Sequence, residues 1–231
     1  MSILALEELT HCYSPHGDPV LRGVSTVFDA SGVYGIVGPS GSGKSTLLSL
    51  IGLLMRPTKG RVIVSGEDAW RSVRQAQEVR RNAFAWVLQN TACLEARTAV
   101  DNVLLSLLAQ GRPRKPARSA ALDALERVGL GGRVQARANE LSGGELQRMT
   151  IARALLGERP IILADEPTGQ LDAANSAAVA DALQSCAALG CTVIVATHDP
   201  MVARRCDHVL TLDQGIVVST EVSDPRPGAR L

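Results

Sequence analysis

The chain has 231 residues, 45% of them hydrophobic, which is ample for a buried core in one large domain or two intimate lobes. Its formal net charge is +1 and its basic residues are scattered, apart from the short run "GRPRKPARS" (111 to 119), which reads as a solvated loop. This excludes recruitment to nucleic acid or an anionic membrane by bulk charge. Five cysteines, an odd set with no CxxC pair, suggest neither a disulfide framework nor a zinc site and read as reduced, mostly buried thiols.

Taken in chain order, the N-terminal "MSILALEEL" lacks the basic-then-apolar layout of a secretory signal, so the chain is expected to remain in the cytosol. "VYGIVG" (33 to 38) reads as a strand and is followed by a helix over about 44 to 55. Within that helix "LLSLIGLLM" is the longest apolar run, but Ser49 and Gly52 interrupt it and it is far short of the roughly 20 residues that span a bilayer. "RVIVS" (61 to 65) and "FAWVLQ" (84 to 89) read as further strands. Three helices follow, near 98 to 110, 117 to 129 and 143 to 157, with no clear strand among them, so a helical subdomain inserted at about 90 to 158 is expected. "IILAD" (161 to 165), a helix near 173 to 189 and "TVIVATHD" (192 to 199) resume the alternation. Several strands are continuous apolar runs, which suit a sheet covered on both faces, and the alternation predicts a mostly parallel α/β core. "SDPRPGARL" closes the chain and reads as a disordered tail over 224 to 231, after a single domain over 1 to 223.

"GPSGSGKST" (38 to 46) lies between a predicted strand and a predicted helix, the context of a phosphate-binding loop. Gly38, Gly41 and Gly43 allow the backbone through Pro39, Ser40 and Ser42 to turn its N–H groups inward, where the helix N-terminus adds positive potential. Lys44, one of only three lysines, can reach the β and γ phosphates, and Ser45 beside Thr46 can offer its hydroxyl to Mg²⁺. "IILADEP" (161 to 167) supplies the complementary acids: Asp165, at the carboxyl end of a buried strand, suits Mg²⁺, and Glu166 suits orienting a water.

"LSGGELQR" (141 to 148) distinguishes this chain from other phosphate-loop proteins. Ser142 and Glu145 form a capping-box pattern that starts a helix. Gly143 and Gly144 each cost about 1 kcal/mol of helix propensity relative to alanine. They leave the first helical amides open to close approach by an anion, which is the physical logic of a second phosphate site.

"GPSGSGKST", "LSGGELQRMTIARAL" and "IILADEPTGQLD", in that order, resemble the nucleotide-binding subunit of an ATP-binding cassette (ABC) transporter, over about residues 3 to 219. The resemblance implies a P-loop ATPase with a mostly parallel core, an antiparallel β subdomain and an inserted helical subdomain. It implies ATP and Mg²⁺ as ligands, with Ser45, Gln89 and Asp165 around the metal. Ser142, Gly143, Gly144 and Glu145 would face the γ-phosphate held by the P-loop of a second copy. Tyr13 falls where the family stacks an aromatic ring on adenine, its ordinary alternative being a strand-edge core residue. Gln89 matches the glutamine that reaches Mg²⁺ and the attacking water, and His198 the histidine at the γ-phosphate. Asp172 matches an acid that crosses the dimer interface, and it also suits capping a helix beginning at Ala173.

"PTGQLD", "LSGGELQR" and "ARTAVDNVLL" are similar to elements of the group that includes MacB-type exporters, LolD-type lipoprotein releasers and FtsE. "RVQARANE" lacks the "GERG" pattern of members with fused membrane domains, in agreement with a separate subunit. The expected partners are therefore a second copy and an integral membrane permease, at the cytoplasmic face of the membrane. Gln170 replaces the usual asparagine and "NTACLEA" departs from the family pattern, which points to a specialised partner surface. An FtsE-like regulator that drives a membrane partner without transport is the alternative, and a soluble ABC protein of translation or DNA repair a more remote one.

Overall fold

The computed structural model describes residues 2–222. The expected tail at 224 to 231 lies outside the described residues. Two sheets organise the chain. The larger joins β3 (Gly32–Val37), β6 (Phe84–Leu88), β7 (Ile161–Asp165), β8 (Thr192–Ala196), β9 (His208–Asp213) and β10 (Ile216–Val222) in the order β10-β9-β3-β8-β7-β6. β9, β3, β8, β7 and β6 run parallel, and β10 pairs antiparallel with β9 as an edge strand. The smaller sheet is antiparallel, with β1 (Ser2–His11), β2 (Leu21–Asp29), β4 (Lys59–Val64) and β5 (Glu67–Asp68) in the order β2-β1-β4-β5.

The apolar strands of the larger sheet are covered on both faces, and alternation along each strand divides two cores. Ile162, Ala164, Val193 and Val195 face one core, packed with α3 (Ala99–Leu108), α4 (Arg114–Arg127), α5 (Gly143–Leu156) and α6 (Ala173–Ala188). Ile161, Leu163, Ile194 and Ala196 face the other, packed with α1 (Lys44–Ile51) and the antiparallel sheet. A core of this kind is what continuous apolar strands require. Two further helices complete the described chain, α2 (Val73–Ala83) and the single-turn α7 (Pro200–Ala203).

Several elements differ from the sequence expectation. "RVIVS" is in β4 and joins the antiparallel sheet rather than the parallel core, because its partner is β1. The antiparallel sheet is the β subdomain that the family resemblance implies, but β1, β2 and β5 within it, and β9, β10, α2 and α7 elsewhere, carry no individually expected counterpart. In α2 only Ala76 is buried, so the helix shows too narrow an apolar face to stand out in the sequence. α1 stops at Ile51 rather than about 55: Gly52 caps it, and Leu53 turns to a left-handed φ of 56°. Among the described residues, 89 to 160 hold α3, α4, α5 and two single 3-10 turns, with the isolated bridge Thr98–Arg137 as their β pairing.

Candidate active site

Parallel register brings the carboxyl ends of four strands to one edge. Ile36 of β3 pairs with Ala196 of β8, Asp165 of β7 pairs with Ala196, and Leu88 of β6 pairs with Asp165. The residues just beyond those ends therefore meet, where ligands of open parallel sheets bind. A cavity of about 610 Å³ lies there, lined by Val20, Ser40, Gly41, Gly43, Lys44, Ser45, Thr46, Gln89, Glu166 and His198.

The loop between β3 and α1 depends on glycine at defined points. Gly43 caps α1 with φ 103°, a conformation that strains any residue with a Cβ. At Gly38 a Cβ would overlap the carbonyl of Leu212, so β9 presses directly on the loop. Gly38, Pro39 and Ser42 are not among the cavity-lining residues, and Ser42 is buried. The Lys44 side chain, also buried, curls into the loop, and its Nζ donates to the carbonyls of Gly38 (2.9 Å) and Pro39 (3.0 Å). Tyr13 is 65% exposed and its hydroxyl shares a 2.9 Å hydrogen bond with Thr46 Oγ1, while its ring meets that of His11 edge-on at 5.1 Å.

Opposite the loop, Ser45 Oγ donates to Asp165 Oδ1 at 2.9 Å. Burial pushes the Asp165 carboxyl above its ordinary range, the neighbouring Glu166 charge adds to this, and the Ser45 bond and Lys44 oppose it. A hydroxyl and a carboxylate side by side are hard oxygen donors, which suit Mg²⁺. Among the described residues no cluster of three or more His, Cys, Asp or Glu side chains is placed to hold a metal alone. That donor set fits an ion which keeps most of its shell as water and phosphate oxygens.

Glu166 sits in the left-handed region at φ 45°, rare for a non-glycine residue. Its N–H donates to Ala196 O (2.9 Å) and its carbonyl accepts from Gly169 N (3.2 Å), which holds the turn. Its Oε2 lies 2.8 Å from His198 Nδ1 and accepts from the His198 backbone N–H at 3.4 Å. Gln89, one residue past β6, is exposed and lines both this cavity and a second one.

The second cavity, about 240 Å³, is lined by Gly143, Gln147, Gly169 and Gln170 among others, and shares Gln89 and Glu166 with the first. Ser142, Gly144 and Glu145 line neither, so within one chain the "LSGGE" stretch and the P-loop do not share a cavity. The capping box forms as the spacing predicts: Glu145 N donates to Ser142 Oγ (3.3 Å) and Ser142 N to Glu145 Oε2 (2.8 Å). Partial burial raises the Glu145 pKa, but the Ser142 bonds and Arg133, 3.1 Å from Oε1, together bring it below its ordinary value.

Packing adds a reason for one glycine that the sequence did not reveal. A Cβ at Gly144 would overlap Asn175 Oδ1 and lie 2.6 Å from Asn175 Cγ, so α5 and α6 touch at this point. Asn175 is itself held by Asp172, which caps α6: the Asn175 N–H donates to Asp172 Oδ1 (2.8 Å) and Nδ2 to Oδ2 (2.9 Å). Those bonds lower the Asp172 pKa. Of the two roles open to Asp172, capping is present within the chain.

Sequence reasoning missed Val20, which has no local signal, and Gln147, whose signal is a polar residue at a buried helical position.

Comparisons with known proteins agree with this geometry. The family model described as ABC transporter matches residues 21–169. The lipoprotein-releasing system ATP-binding protein LolD of Shewanella oneidensis is 46% identical over 183 residues, 78% of this chain and 79% of that one. The macrolide export ATP-binding/permease protein MacB of Shewanella sp. strain W3-18-1 is 36% identical over 96% of this chain, which spans only 35% of that protein. A dimeric post-hydrolysis structure of the ATP-binding cassette MJ0796 bound to ADP and Pi superposes with a TM-score of 0.83 at 32% identity, covering 96% of this chain and 100% of that one. On a family match over most of its length and these relatives, the chain belongs to the ABC transporter family, as an ATPase domain of the LolD and MacB type.

Proposed function

We propose that two copies of this chain sandwich two MgATP between the P-loop of one and the "LSGGE" stretch of the other, and that closing and parting of this dimer drives a separate membrane permease. The observation that carries the reading is the convergence of Lys44, Gln89, Glu166 and His198 on one cavity, with Glu166 and His198 in hydrogen-bond contact. The separation of "LSGGE" from that cavity supports a second copy as the source of the opposite wall.

On this reading Lys44 exchanges its carbonyl partners for phosphate oxygens, a charge-assisted bond stronger than the neutral one it replaces. Gly41 and Gly43 leave amides clear around the phosphates, and Tyr13 supports the base. Ser45 and Asp165, with Gln89, would hold Mg²⁺, which when bound neutralises phosphate charge. His198 occupies Glu166 Oε2, so the remaining oxygen is left to orient and polarise the attacking water. Catalysis of phosphoryl transfer by this set is positioning and charge stabilisation. Hydrolysis removes the γ-phosphate that bridges both halves, and the halves part.

Among the described residues no helix is long and apolar enough to cross a membrane. The MacB relative carries "permease" in its name, which supports a membrane permease as the partner that this ATPase drives, at the cytoplasmic face. The test is Glu166→Gln, which should bind ATP, hydrolyse it at least a hundredfold more slowly and elute as an ATP-dependent dimer. Wild-type turnover in that variant would overturn the role of Glu166. Absence of any integral membrane protein when the tagged chain is purified from detergent-solubilised membranes of its host would overturn the permease.

A further inference from the structure

α5 begins at the "LSGGE" turn, and two of its side chains also hold the segment that carries Gln89. Gln147, only 3% exposed, donates from Nε2 to the carbonyl of Leu88 at 3.0 Å, the residue immediately before Gln89. Six residues further on, Arg153 donates from Nη1 to the carbonyl of Ala92 at 2.7 Å. These bonds bracket Gln89, Asn90 and Thr91, which all line the second cavity. Beyond them Asn102 fixes the next stretch, with Oδ1 accepting from Leu94 N (2.7 Å) and Nδ2 donating to Leu94 O (3.0 Å). Exposed Gln89 thus sits on a short span whose two ends are fastened to one helix.

We propose that Gln147 and Arg153 are positioning residues that make α5 and the Gln89 segment move as one unit, so that displacement of the "LSGGE" end is passed to the amide of Gln89. A side-chain donor on a backbone carbonyl suits this role, since it holds position whatever residue occupies the bracketed span. Only the donor half of Gln147 is used: its Oε1 is buried without a hydrogen-bond partner, so the bond to Leu88 is what its amide contributes here. The inference rests on the proposed role of Gln89 in hydrolysis.

The test is a double-mutant cycle on the full chain, reading ATP turnover and nucleotide affinity. Gln147→Met keeps the volume and removes the donor. It should lower kcat roughly tenfold, the size expected for one buried hydrogen bond, with nucleotide affinity within about twofold of wild type. In a Gln89→Ala background the same change should have no further effect, and amide exchange at 89 to 91 should be faster in the single variant. Multiplying effects, or an unchanged kcat in Gln147→Met, would overturn the linkage while leaving Gln89 its role. An unchanged kcat in Gln89→Ala would overturn the Gln89 reading and the linkage with it. Should Gln147→Met fail to fold, Arg153→Met against Arg153→Lys asks the same question: Lys restores a donor and should recover turnover, and equal loss in both overturns the proposal.

Discussion

Gly144 has two candidate reasons to be glycine, and a pair of substitutions separates them. In the free chain an added Cβ would overlap Asn175 Oδ1 and come within 2.8 Å of Asn175 Cβ. Overpacking of this kind costs about 1–3 kcal/mol, and alanine returns about 1 kcal/mol of helix propensity over glycine. Gly144→Ala should therefore lose about 1 kcal/mol and about 2–4 °C of Tm for a chain of this size. Adding Asn175→Ala removes Oδ1 and Cγ, the two nearest obstructing atoms, and the Nδ2–Asp172 bond, but leaves Cβ, which has to shift by a few tenths of an ångström, and the 2.8 Å backbone cap on Asp172. The double variant should recover Tm to within about 2 °C of wild type. If the open backbone serves a nucleotide on the partner copy, ATP turnover should stay at least tenfold low despite the recovery, because the added methyl still blocks close approach. Thermal unfolding followed by circular dichroism and a phosphate-release assay give the two readouts. Wild-type turnover in the stable double variant would show that Gly144 is needed for packing α5 on α6 alone, and would refute the nucleotide-binding argument for this glycine.

Lys44→Ala should abolish detectable ATP binding in a fluorescent-nucleotide titration and leave Tm without nucleotide within about 3 °C, since the ammonium holds only two neighbouring carbonyls. Glu145 has its folded pKa below the ordinary 4.5, so its contribution to stability is present above that value and lost as pH falls through the folded one. Glu145→Gln should consequently be less stable at neutral pH and show a shallower fall in Tm between about pH 5 and 3, whereas parallel Tm curves for the two proteins would refute this. The Cys186 thiol is pushed up to about 12, chiefly by burial with a smaller contribution from Cys191. Brief alkylation with iodoacetamide at about pH 8 should label Cys12 and spare Cys186 until the protein is denatured, as read by peptide mass spectrometry.

What was legible in the sequence was local. The P-loop announces itself because glycine spacing, a preceding apolar strand and a following helix all lie within one short stretch, and Ser142 with Glu145 makes a cap from residues three apart. β7 and β8 were legible because burial on both faces leaves an unbroken apolar run. β1 was not, since its sequence "SILALEELTH" holds leucine, alanine and glutamate, which favour helix, and antiparallel pairing with β2 and β4 overrides that preference. β10 went unread as well: Ile216, Val218 and Val222 share one face, but that face is exposed and polar residues interrupt the short apolar run.

By itself the sequence determined which residue types are available for phosphate and metal chemistry and the family to which they belong, because those patterns are written in short spacings. Only the tertiary structure decided that residues 44, 89, 166 and 198 share one cavity, that Asn175 fills the space beside Gly144, and that α5 grips both ends of the Gln89 segment. Each of these depends on strand register or helix contact between segments tens to more than a hundred residues apart, and no local pattern encodes that meeting.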